Sequence, residues 1–139
     1  MDAAMRMRRE IETELREALY DGDLHMVYQP QADKHGRIAG VEALLRWHHP
    51  TRGRVPPGEF IPFAEQTGFM REITRWVVNE GARFAGELAS RNLQVSVSVN
   101  VSAQDIENPA FSGAIGDTLR ELRLEPGRLT LEITESGLL

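Results

Sequence analysis

The chain has 139 residues, enough for one domain with a core of its own, and 41% hydrophobic against 27% charged residues excludes a disordered segment. A net charge of −5 with no long basic run argues against a nucleic-acid polymer as partner, and the lack of cysteine excludes disulfides and thiolate metal sites. No apolar run approaches the ~20 residues that span a bilayer, and Met1 to Glu10 lacks the apolar core of a signal peptide. The segment therefore reads as cytoplasmic and without membrane contact of its own, whether alone or within a larger membrane-anchored sensor.

In chain order, Asp2 to Leu19 is predicted as a helix with Ile11, Leu15, Ala18 and Leu19 on one stripe, closed by Asp21-Gly22-Asp23. Residues 1–22 are expected to form a leading connector or dimer contact, or equally a helix lying on its own domain. Leu24 to Ala32 is predicted as a strand, Asp33-Lys34-His35-Gly36 as a turn, and Arg37 to Trp47 as the returning strand of an antiparallel hairpin. His48 to Pro57 is predicted as loop. Pro57 to Gly68 follows as a short helix presenting Phe60, Phe63 and Ala64. A longer helix from Met70 to Ser90 presents Ile73, Trp76, Val77, Phe84 and Leu88. Gln94 to Ser102 reads as a strand. Asn108-Pro109 opens a helix lined by Phe111, Ile115, Leu119 and Leu122, and Arg128 to Thr134 is the last strand.

From Arg37 onward the order is strand, helices, strand, helix, strand, which builds a parallel sheet with right-handed crossovers. A closed sheet of this kind is a (β/α)₈ barrel, with its chemistry at the C-terminal ends of the strands, and a whole one needs about 250 residues. The expected class is α/β: a TIM-type barrel present to about half, with an antiparallel first strand and a leading helix.

Three segments, 40–46, 95–102 and 129–136, share one pattern, an apolar strand carrying an acid or amide near its C-terminal end. Strand side chains alternate between faces, so Glu42, Asn100 and Glu132 each lie on the more polar face of their strand. Burying such a group alone costs several kcal/mol. Either the acids face solvent at an edge, or the three oxygens gather around a hard cation. That donor set suits Mg²⁺, Mn²⁺ or Ca²⁺ better than Zn²⁺ or copper. Adjacent His48 and His49 diverge in extended chain and are expected to serve the loop. Trp47 and Trp76 read as core, Arg52 and Arg54 as a solvated loop, and Ser96 and Ser98 as lumen packing.

The run Glu42-Ala43-Leu44-Leu45-Arg46-Trp47 resembles the signature that names the EAL family of cyclic di-GMP phosphodiesterases. Tyr28-Gln29-Pro30, His49-Pro50, 57–62, 64–68, Val99-Asn100-Val101-Ser102 and 131–136 match the family in the same order, over nearly everything after residue 24. On this resemblance, residues 23–139 are the first half of an EAL domain, and Glu42, Asn100 and Glu132 are metal ligands for Mg²⁺ or Mn²⁺, with Ca²⁺ inhibitory. Arg46 corresponds to the arginine on a phosphate of the dinucleotide, Gln29 to a glutamine near a guanine, and Glu135 to a glutamate supporting the metal-site loop. The implied reaction is metal-assisted hydrolysis of cyclic di-GMP to linear pGpG. The family's later motifs, paired aspartates, a lysine and a final glutamate, are missing: no Asp-Asp occurs, and no lysine follows Lys34. The isolated polypeptide is therefore expected to be inactive and to self-associate through its sheet edges or leading helix. A non-catalytic receptor for cyclic di-GMP is the alternative.

Overall fold

The computed structural model describes residues 2–134. Helix α1 (Ala3–Asp21) starts where the Asp2 carboxylate accepts a hydrogen bond from the Met5 amide at 2.8 Å. It stops at Gly22, whose φ of 82° is a left-handed conformation that glycine adopts without a Cβ penalty. Strands β1 (Leu24–Ala32) and β2 (Ile38–His49) form the hairpin. Its turn is closed by Asp33, whose Oδ1 accepts from the amides of His35 and Arg37 at 2.8 and 3.0 Å. Strand β3 (Gly53–Val55), helix α2 (Pro57–Thr67) and helix α3 (Met70–Ser90) follow. Strand β4 (Ser96–Ser102) runs straight into helix α4 (Ala103–Glu107). Asn108 then caps helix α5 (Pro109–Leu122), with proline in its first turn, and a 3₁₀ turn leads to β5 (Leu129–Thr134).

The strands form one open sheet in the order β1-β2-β4-β5, with β3 paired to β2. β1–β2 and β2–β3 are antiparallel; β2–β4 and β4–β5 are parallel. One face of the sheet carries Val41, Ala43, Leu45 and Trp47 of β2 and Val97, Val99 and Val101 of β4, all buried. Against it lie Ile73, Val77, Ala82 and Ala85 of α3, Phe60 of α2, and Leu15 and Ala18 of α1 in the same core. The other face carries Glu42, Leu44 and Arg46 beside Ser96, Ser98 and Asn100. Helices on one face and polar side chains on the other are what a barrel wall looks like when seen as a segment.

The segment 48–57 is not all loop: β3 pairs Trp47 with Val55 and His48 with Arg54. Three residues are too few for an alternating pattern to show. His48 and His49 accordingly end β2 rather than sit in a loop, His48 exposed and His49 buried. His49 Nδ1 accepts from the amides of Thr51 and Arg52 at 3.1 and 3.0 Å, while Nε2 faces Glu14 of α1 at 3.4 Å. Arg52 also reaches Glu14, at 3.3 Å, so it clamps α1 to the hairpin and is not simply solvated. Helix α4 was unforeseen for the same reason of length. Leu122, expected on the apolar side of α5, is 38% exposed.

Close contact between α3 and β4 depends on Gly81. A Cβ there would lie 2.5 Å from Val99 Cγ1. Gly81→Ala gains about 1 kcal/mol of helix propensity, but overpacking costs about 1–3 kcal/mol. The expected result is a net loss of about 1 kcal/mol in urea unfolding. An unchanged or raised midpoint would mean that α3 lifts off the sheet freely.

Tyr28 of β1 stacks on Phe84 of α3, ring centroids 3.7 Å apart, and its hydroxyl donates to the Glu80 carbonyl at 3.3 Å. Burial, then the Glu80 and Glu87 carboxylates, push the phenol up to about 12 from 10.0. A pKa raised on folding favours the protonated native state. Its stabilisation is complete below pH 10 and disappears as pH rises through about 12. Tyr28→Phe is expected to flatten thermal stability over that window; an equal alkaline loss in the variant would assign the effect to another group.

Candidate functional site

Alternation along the strands brings the predicted oxygens to one face, and register decides how far apart they stand. Glu42 is level with Gln29 of β1 on one side and Ser98 of β4 on the other. Asn100, two residues further along β4, is level with Glu132 of β5. The three positions therefore step diagonally across β2, β4 and β5 on the polar face. Glu42 is not near the C-terminal end of its strand, as expected, but fifth of twelve residues. β2 continues past its parallel partner to build the hairpin with β3. Asn100 and Glu132 do lie in the later halves of theirs.

Asn100 Nδ2 stands 3.5 Å from Glu42 Oε1, at the outer limit of a hydrogen bond. The two ends of an asparagine amide exchange by a half-turn, so the same placement would let Oδ1 face a cation lying beside Glu42. Asn100 is only 4% exposed, and Ser98 beside it 8%, so the amide is held among its neighbours. Glu132 is half-buried beside Asn100 in register, on a strand ~4.8 Å away. Two carboxylates and an amide oxygen fit a hard divalent ion in donor chemistry. Among the described residues no three His, Cys, Asp or Glu side chains cluster in a way that could hold a metal ion.

The other predicted residues are more dispersed. Arg46 shares the face of Glu42 but lies four residues further on, ~13 Å along the strand, and its Nη1 donates to the Leu45 carbonyl at 2.9 Å. Gln29 is the register partner of Glu42, with an exposed side chain. Glu135 lies outside the described residues. Sequence reasoning missed Gln31, whose Nε2 donates to Glu42 Oε2 at 3.2 Å. Its parity with Gln29 on β1 was the available signal. It also missed Asp105, a 95% buried carboxylate just beyond β4 (5% exposed), which the Ser102-x-x-Asp105 spacing of a capping box announces.

Family comparison bears directly on this arrangement. The family model described as EAL domain matches residues 12–139. The chain belongs to the EAL domain family. It is 40% identical over 124 residues to the oxygen sensor protein DosP of Escherichia coli K12, covering 88% of this chain and 16% of that protein. A cyclic di-GMP phosphodiesterase of Pseudomonas aeruginosa is 40% identical over 116 residues, 83% of this chain and 20% of its own length. The solved structure of the PaMucR phosphodiesterase in complex with c-di-GMP superposes with a TM-score of 0.83 at 37% identity, over 91% of this chain and 52% of that one. This EAL chain thus spans about half of a solved EAL structure and a fifth or less of those two curated relatives. The open sheet accordingly matches part of a TIM-barrel-like fold. No helix among the described residues is long and apolar enough to cross a membrane.

Proposed function

We propose that this chain contributes one side of the active site of a metal-dependent cyclic di-GMP phosphodiesterase, which opens the cyclic dinucleotide to linear pGpG. The observation that carries the reading is the approach of Asn100 to Glu42 at 3.5 Å on the polar face, with Glu132 next in register. Names of relatives add support: one is a cyclic di-GMP phosphodiesterase and another was solved with c-di-GMP.

Glu42, Asn100 and Glu132 would hold Mg²⁺ or Mn²⁺, with Ca²⁺ occupying the same oxygens without turnover. When bound, a divalent cation supplies charge neutralisation at the phosphodiester and activation of water. The chain's own residues do the rest of the work on this side. Gln31 holds Glu42 Oε2, which leaves Oε1 turned toward Asn100. Arg46 offers a planar guanidinium suited to a phosphate, and Gln29 offers an amide for a guanine edge. Glu135, following β5, would support the loop beside Glu132. A chain free of cysteine suits a cytoplasmic setting.

With three protein ligands this polypeptide holds a cation but does not clamp two, so the 139 residues alone are proposed to bind cyclic di-GMP weakly and not to cleave it. The outer edge of β1, which pairs with no further strand among the described residues, supports self-association of the chain. One experiment addresses all of this: cyclic di-GMP and Mn²⁺ are titrated into the chain, with nucleotide chromatography for pGpG and light scattering for size. Metal-dependent binding without turnover, by an assembly larger than a monomer, is the expected outcome. Turnover that needs Glu42 would overturn the inactivity, and a compact monomer the self-association. Loss of metal-dependent binding altogether would remove the site.

A further inference from the structure

The C-terminal end of β4 is tied down by a polar cluster. Asp105 is 5% exposed, and its Oδ2 accepts from Ser102 Oγ at 2.8 Å, from Thr74 Oγ1 at 2.8 Å and from the Ser102 amide at 3.4 Å. Ser102 Oγ in turn accepts from the Asp105 amide at 3.1 Å. Among the described residues no basic side chain forms an ion pair with this carboxylate, and neutral donors satisfy it. Thr74 is 0% exposed and sits between Ile73 and Val77 on the core side of α3. Three hydrogen bonds from neutral donors offset the cost of burying this carboxylate. A capping box ordinarily carries Glu or Gln at its third position. Asp is one methylene shorter and holds the strand end closer.

What the cluster controls is the line of β4. Ser102 is two residues beyond Asn100 on the same face of a strand whose pairing with β5 runs Asn100 to Glu132 and Ser102 to Thr134. The Thr74–Asp105–Ser102 chain anchors that line to α3, which is itself set on β4 through Gly81 and Val99. We infer that Asp105 and Thr74 are positioning residues that hold β4 in the register and direction at which Asn100 meets Glu42. The metal consequence rests on the phosphodiesterase reading above; the positioning itself does not.

The test uses the full 139-residue chain with Thr74→Val, which keeps the volume and removes the hydroxyl, Thr74→Ser, which keeps the hydroxyl, and Asp105→Asn. In the metal-free chain, the side-chain amide resonances of Asn100 are followed by ¹⁵N NMR. They are expected to move or broaden in Thr74→Val and Asp105→Asn and to return to the wild-type position in Thr74→Ser. Mn²⁺ titration is expected to show about tenfold weaker binding for Thr74→Val, the lower end of what outer-shell partners contribute, with recovery in Thr74→Ser. Should Thr74→Val and Thr74→Ser lower the unfolding midpoint alike while the Asn100 amide stays in place, the residues are packing only and the inference is wrong. Unchanged Mn²⁺ affinity in Thr74→Val, where the wild type binds, overturns it as well. If the wild type binds no Mn²⁺, the metal reading fails, and the Asn100 resonances still decide the positioning.

Discussion

On the phosphodiesterase reading proposed above, Glu42→Gln in a complete EAL domain containing these residues is expected to lower cyclic di-GMP hydrolysis by at least about 100-fold, with little change in unfolding midpoint. Oε1 meets the Asn100 amide at 3.5 Å and Oε2 meets Gln31 Nε2 at 3.2 Å, so the carboxylate lies between two amides on a half-buried face. Glutamine has the same shape and can still accept a hydrogen bond, so the fold loses little. What it lacks is the negative charge, and hard cations are bound through the number of charged oxygens around them. Outer-shell partners of metal ligands already contribute about 10–100-fold, and a direct ligand should exceed them. Initial rates of pGpG formation at saturating Mn²⁺, alongside thermal unfolding of both proteins, provide the measurement. Turnover within about tenfold of the parent would remove Glu42 from the metal set.

Trp47→Ala is expected to destabilise the chain by about 3–5 kcal/mol, the range for truncating a buried aromatic. Trp47 is 2% exposed and stands edge-on to Phe60 of α2, centroids 5.4 Å apart at 88°, and tilted toward the His49 ring at 5.7 Å. It is also where β2 meets two partners, pairing with Leu24 of β1 and Val55 of β3. Domains are stable by only about 5–15 kcal/mol in total, so the variant should lose a large share of its stability. Trp47→Phe keeps a ring against Phe60 and should fall between the two. Urea unfolding of the three proteins tests this, and a loss below about 1 kcal/mol for alanine would mean that α2 collapses into the space.

The two predictions concern opposite faces of one strand, and that division was legible in the sequence. Period-two alternation along residues 40–47 sends Val41, Ala43, Leu45 and Trp47 one way and Glu42, Leu44 and Arg46 the other, and the first set is indeed buried. The long helix from Met70 to Ser90 was readable from end to end because 21 residues give its amphipathic stripe room to repeat. β3 and α4 were not readable, because three and five residues complete too little of any period. β3 exists because β2 runs on past Trp47 and offers it an edge.

Sequence alone determined the longer elements, the face each oxygen takes and the family, because alternation, caps and motif order are properties of neighbours along the chain. Only the tertiary structure decided which oxygens meet. Register slides Glu42 level with Ser98 and leaves Asn100 two residues ahead, and an amide contact closes that diagonal. It also decided that Gln31 hydrogen-bonds Glu42, and that a buried Asp105 grips Thr74 from a helix 31 residues away in sequence. The physical reason is that hydrogen bonds between strands and helices depend on distances in space, which local propensity does not encode.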